Sequence, residues 1–87
     1  MSDTKTALAA RVFASVERFF SLPPGTVSAG TSADDIAGWD SVNHVGLILA
    51  IEEEFGLSFD VAVVGDFRNV GELAAECARL AHPAAIA

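Results

Sequence analysis

Asp40-Ser41 sits where a long polar loop meets an apolar, helix-forming run, which puts a serine hydroxyl at a helix N-terminus. Backbone N–H groups and the positive end of the helix dipole favour a phosphate attached there. Asp40 has the charge to help hold a metal or to contact an enzyme that modifies the serine. Taken alone, the pair also reads as an ordinary capped helix start, because Asp and Ser are preferred at that position. His44 lies at i+3 from Ser41, the spacing of a nucleophile and its base on one helical face. No third group orients the histidine and no donor-lined oxyanion site is visible, so a hydrolase is disfavoured and His44 is expected to be exposed near the serine. Asp34, Asp35 and Asp40 lack the spacing and central glycine of a calcium loop, and no metal is expected. The single cysteine, Cys77, excludes an internal disulfide and a cysteine-based zinc site. It falls on an apolar helical stripe, as a small core residue does.

The elements that must position Ser41 follow from periodicity. A first helix is expected from Thr4 to Phe20, with Leu8, Val12, Phe13, Val16, Phe19 and Phe20 as its buried stripe and Pro23-Pro24-Gly25 as its stop. A loop from Ser21 to Asp40 follows, long for so small a domain, with Leu22, Val27, Ile36 and Trp39 as anchors. Trp39 either plugs this loop onto the helices or meets a modifying enzyme. The second helix runs from Ser41 to Phe55, with Gly56 as its stop. Val45, Ile48, Ile51 and Phe55 share one face of it, flanked by Leu47 and Leu49. Glu52, Glu53 and Glu54 crowd its last turn, the unfavourable end of the dipole for acids, as a partner surface or a solvated face. A short third helix is expected near Val61–Phe67. A fourth begins at Asn69, where Glu72 three residues on gives a capping-box variant, buries Val70, Leu73, Ala74, Cys77 and Leu80, and stops at Pro83. Residues 83–87 are expected to be a frayed tail.

Composition agrees with one small helical domain over residues 1–87, with its core at about residues 5–81. The chain has 87 residues, 52% of them hydrophobic, and no tyrosine. Its formal charge is −7, and no Lys or Arg occurs between Arg18 and Arg68. Such a surface repels phosphate backbones, which excludes nucleic-acid binding, and steers basic protein partners toward the middle of the chain. No apolar run is long enough to span a bilayer, and the N-terminus lacks a signal-peptide pattern; the expectation is a cytoplasmic monomer without a membrane partner.

The stretch from Asp40-Ser-Val through Ile51-Glu-Glu-Glu-Phe55 to Leu57-Ser-Phe59 resembles the acyl carrier proteins, whose signature is Asp-Ser-Leu followed by an apolar helix ending in Leu-Glu-Glu-Glu-Phe. Asn69-Val70-Gly71 corresponds to the family's Thr-Val-Gly, and Val27 lies at the expected distance before Ser41, so the likeness covers about residues 5–81. It identifies the chain as a discrete member of the family. The resemblance implies an all-α four-helix bundle with three longer helices, a short third helix and a long first loop. It implies no enzymatic activity. Ser41 would be esterified with 4′-phosphopantetheine from coenzyme A by a phosphopantetheinyl transferase, and the arm's thiol would hold acyl groups as thioesters. Asp40 and Trp39 would adjoin the attachment point. Val42, His44, Leu49, Glu52, Glu53 and Glu54 would face partners, namely acyl-transferring, condensing or ligase enzymes with basic docking surfaces. Val45, Leu47, Ile51, Phe55, Leu57 and Phe59 would line the interior.

Departures from the family pattern narrow the expected role. Val42 replaces leucine, Asn43 and Gly46 stand where many fatty-acid carriers have acids, and Val61–Val64 is apolar where those carriers are often acidic. They suggest a specialised fatty-acid-like or polyketide-like pathway. An aminoacyl or peptidyl carrier is the first alternative, although such carriers usually have Gly-Gly-Asp-Ser where this chain has Gly38-Trp39-Asp40-Ser41. An unmodified four-helix interaction module is the second. Gly46 costs roughly 1 kcal/mol relative to alanine in mid-helix, so a close approach is expected there.

Overall fold

In the computed structural model of the chain, residues 3–81 are described, with side chains from residue 7 onward. The order is α1 (Asp3–Phe19), a single 3-10 turn (Ala33–Asp35), α2 (Ser41–Phe55), α3 (Val61–Val64) and α4 (Val70–Ala81). The four helices, three long and one short, are as expected. Pro83 and the expected tail at 83–87 lie outside the described residues.

The core joins Leu8, Val12 and Val16 of α1 to Leu47, Ile48 and Ile51 of α2 and to Val70, Leu73, Ala74, Cys77 and Ala78 of α4. Helix α1 is the centre, packing most extensively on α4 and also on α2. Val27 and Ile36 close the core from the long loop, and Phe59 closes it from the α2–α3 connection. Cys77 is fully buried, and loss of water around it, with the nearby Glu76 charge, pushes its thiol up to about 12. It is a core residue, inert as a nucleophile at neutral pH.

The structure corrects several expected boundaries and faces. Helix α1 ends at Phe19, before the prolines, because Ser21 turns the chain into the left-handed region at φ 58°. There the N–H of Leu22 donates to the Glu17 carbonyl at 2.8 Å and that of Ser21 to the Arg18 carbonyl at 3.3 Å, a Schellman closure. Phe19 is thereby left 37% exposed and Phe20 falls beyond the helix, while Ser15 and Glu17 are buried instead. The inner face of α2 is Leu47, Ile48 and Ile51, with Phe55 half-buried; Val45, expected inside, is 54% exposed. Helix α3 is one turn, not the span to Phe67. Asp60 caps it by accepting from the Ala62 N–H at 2.9 Å, but β-branched valines and Gly65 give it nothing to propagate on.

Hydrogen bonds tie the long loop to the helices. The buried Glu17 carboxylate accepts from the N–H groups of Gly25 and Val27, both at 2.9 Å. From the other side, the N–H groups of Val70 and Gly71 at the start of α4 donate to the carbonyls of Thr31 and Ala29, both at 2.8 Å. At Gly71 a Cβ would stand 2.8 Å from the Ala29 oxygen, so the contact needs glycine. The expected close approach at Gly46 is also present: a Cβ there would meet the Phe19 ring at 3.1 Å.

Glu54 joins α2 to α1. Its carboxylate accepts from the Ser15 hydroxyl at 2.6 Å, and Arg18 Nη2 lies 2.8 Å from both of its oxygens. The Ser15 hydrogen bond foremost, and Arg18 after it, hold this carboxyl below its ordinary value of 4.5 against the opposing effect of burial. A carboxyl lowered on folding adds stability above its unfolded pKa and loses it as pH falls through the folded one. Ser15→Ala is therefore expected to destabilise the fold at neutral pH and to converge with the parent below pH 4.5. Chemical denaturation at a series of pH values checks this; an effect that persists undiminished at low pH would contradict it.

Candidate functional site

Ser41 is the first residue of α2, and its position follows from the turns before it. Gly38 takes φ 88°, a left-handed conformation that glycine adopts without strain. The Asn43 side-chain amide donates to the Gly38 carbonyl at 2.6 Å and pins that turn. Asp40 is the N-cap, its carboxylate accepting from the Asn43 N–H at 2.8 Å, while the His44 N–H donates to the Asp40 carbonyl at 2.8 Å. The carboxylate of Asp40 is thus committed to shaping the helix start. Ser41 is left exposed on the first turn, where its own N–H and that of Val42 point out of the helix end.

Trp39 and His44 flank this start from one side. The indole N–H donates to His44 Nδ1 at 3.0 Å, and the two rings stack with centroids 6.0 Å apart. His44 Nε2 lies 2.7 Å from the Val64 carbonyl. Both contacts are hydrogen bonds only when Nδ1 is bare and Nε2 carries the proton, which fixes the tautomer of the neutral ring. Trp39 also rests on Phe20 at 5.3 Å between centroids. These contacts hold the loop to the bundle. His44, expected to be exposed, is half-buried and links α2 to the end of α3.

The other expected site residues divide into two groups. Val42, at 79% exposure, and Leu49, at 59%, lie outward with Val45 on one face of α2. Glu53 is exposed beside them. Glu52 and Glu54 are instead engaged within the fold: Glu52 accepts from the Phe59 N–H at 2.8 Å, and Glu54 holds Ser15 and Arg18. The three acids therefore form neither one continuous docking face nor a merely solvated one. Asp35 likewise caps the 3-10 turn, accepting from the Ser32 N–H at 2.9 Å. Among the described residues no three His, Cys, Asp or Glu side chains gather for a metal ion, and no helix is long and apolar enough to cross a membrane.

A cleft of about 530 Å³ opens beside Ser41, bounded by Trp39, His44, Val45, Val64 and Phe67. Neither Val64 nor Phe67 was marked by the sequence as a site residue; the apolar run at 61–64 was the only signal. An exposed hydroxyl, outward N–H groups on the first turn and a cleft alongside fit a phosphodiester-linked arm, which needs an accessible oxygen, donors for its anion and room for a chain. Among the described residues, the imidazole nearest Ser41 is that of His44, and both of its nitrogens are engaged by Trp39 and Val64.

Comparison with known proteins agrees with this geometry. The family model described as phosphopantetheine attachment site matches residues 10–77. Among solved structures, the chain is similar to the holo acyl carrier protein from Geobacter metallireducens, determined by solution NMR. The two share 26% identity over 83% of each chain, with a TM-score of 0.75. No curated protein matches the chain. A family match over most of the chain, together with the fold of a known holo carrier, leads to one conclusion: the chain belongs to the phosphopantetheine-attachment family, as an acyl-carrier-like protein with an attachment site for that group and not itself a catalyst.

Proposed function

We propose that Ser41 is the residue that carries the 4′-phosphopantetheine arm, and that the loaded protein delivers acyl thioesters to partner enzymes in a specialised fatty-acid-like or polyketide-like pathway. The observation that carries this reading is the exposed Ser41 hydroxyl on the first turn of α2, with Asp40 folded back as the cap. The arm supplies the thiol on which a thioester forms. The chain's own residues present the serine, keep its surroundings rigid and offer a surface for visiting enzymes.

That surface supports the specialised role. An enzyme reaching Ser41 must cover Val42, Val45 and Leu49, an apolar strip with Asn43 and Gly46 where a more general carrier would have acids. The partner that fits is a transferase, condensing enzyme or ligase with an apolar groove and basic groups at its rim for Asp40 and Glu53. Tryptophan at position 39 favours acyl over aminoacyl cargo, because peptide-synthesis carriers usually have glycine there.

Incubation with coenzyme A and a broad-specificity phosphopantetheinyl transferase tests the assignment by intact mass. The parent is expected to gain the mass of one phosphopantetheine and Ser41→Ala to gain none. Failure of the parent to gain it leaves an unmodified interaction module; a gain in the variant places the arm elsewhere.

A further inference from the structure

Two spaces adjoin the Trp39–His44 pair. The first is the open cleft at Ser41, which ends against Trp39, His44, Val64 and Phe67. The second is a narrower, more enclosed space of about 40 Å³ bounded by Trp39, His44, Phe67, Arg68, Asn69 and the fully buried Leu73. Ala33, Trp39, His44 and Phe67 border both, so these side chains stand between the open cleft and the fully buried Leu73. The separation is held on three sides: the Trp39 N–H on Nδ1, the Val64 carbonyl on Nε2, and Phe20 behind the indole. The inner space has room for about one or two waters and none for an alkyl chain.

Resting on Ser41 as the attachment point, we infer that His44 is a specificity-determining residue that closes the bundle to cargo, so that the protein carries its acyl group outside, in the cleft. To enter the core, a chain would have to displace the imidazole from both hydrogen bonds. That would leave the half-buried indole N–H and the Val64 carbonyl without partners, at a cost that burial of a short chain does not offset. The cargo that suits the cleft is accordingly short or polar, and its thioester stays open to solvent and to partners. His44 acts by excluding cargo; it touches no reacting atom and is not catalytic.

The test loads Ser41 with octanoyl-phosphopantetheine from octanoyl-coenzyme A and, separately, with the unacylated arm from coenzyme A. Intact mass first establishes loading in each sample, which keeps failure of the attachment reading distinct from failure of this one. In the parent, Leu73 methyl and Phe67 ring resonances are expected to coincide in the octanoyl and unacylated forms. Hydroxylamine is expected to cleave the thioester as fast as it cleaves octanoyl-coenzyme A. In His44→Ala the cleft opens toward Leu73: Leu73 shifts on acylation, and cleavage slows about tenfold if nine-tenths of the molecules shelter the thioester. His44→Gln, whose amide can accept from the indole and donate to the Val64 carbonyl, is expected to behave as the parent. The parent's spectra decide the matter even if His44→Ala does not fold, because a Leu73 shift on acylation of the parent overturns the inference. A parent thioester protected from hydroxylamine overturns it as well.

Discussion

Glu17→Ala is expected to lower the unfolding free energy by about 2–4 kcal/mol, a large fraction of what a domain of this size possesses. Glu17 is 7% exposed, and its carboxylate accepts from two N–H groups, of Gly25 and Val27. Removing it leaves both donors without a partner, and Val27 is itself a core residue whose position depends on that contact. Bonds to a charged acceptor are about twice as strong as neutral ones, so Glu17→Gln, which keeps one acceptor oxygen, should cost about half as much. Urea denaturation of the three proteins reads both values. A loss below about 0.5 kcal/mol for Glu17→Ala, the scale of an ordinary surface substitution, would show that the carboxylate does not pin the loop.

Gly71→Ala should destabilise by about 1–3 kcal/mol even though alanine is the better helix former. The new methyl would stand 2.8 Å from the Ala29 oxygen and 3.0 Å from the Ala29 Cβ. The oxygen belongs to the backbone and also accepts the Gly71 N–H, so relief requires the loop to move off α4. Gly46→Ala is the matched control. Its methyl meets only the Phe19 ring, at 3.1 Å, and that ring is partly exposed and able to swing away. The helix-propensity gain of about 1 kcal/mol should then leave Gly46→Ala neutral or slightly stabilising. Thermal unfolding of the pair checks the contrast, and equal effects at the two positions would contradict the backbone-contact account.

How much of this was legible in the sequence depended on whether a residue's role was local. Helix α2 begins at Ser41 and ends at Phe55, as Asp40 and Gly56 signal, because caps and stops act within a few residues of themselves. The start of α4 was similarly readable. Asn69 accepts from the Glu72 N–H at 2.9 Å, although Glu72 reaches back to the N–H of Arg68 and not to that of Asn69. Glu17 was not legible: an acid near the end of a helix looks solvated, and its partners are main-chain donors in a loop without periodicity. The same holds for His44, whose second contact is the Val64 carbonyl, a group every residue possesses. Glu52 and Glu54 looked alike in sequence beside Glu53, yet their orientation on the last turn of α2 sends one to Phe59 and the other to α1. Val45 followed the helical period, but the inner stripe runs one position further on, through Leu47 and Ile48, because α1 covers that side.

The central claim is that one hydroxyl, among several exposed serines and threonines, carries the arm because, among the described residues, it opens the first turn of a long helix beside a cleft. Proteolysis of the enzymatically loaded protein followed by fragmentation of the modified peptide tests this most directly. The account predicts that the added phosphopantetheine is borne by Ser41 and by no other residue. Localisation to Ser28, Ser32, Ser58 or any other hydroxyl, or a protein that accepts no arm, would contradict it.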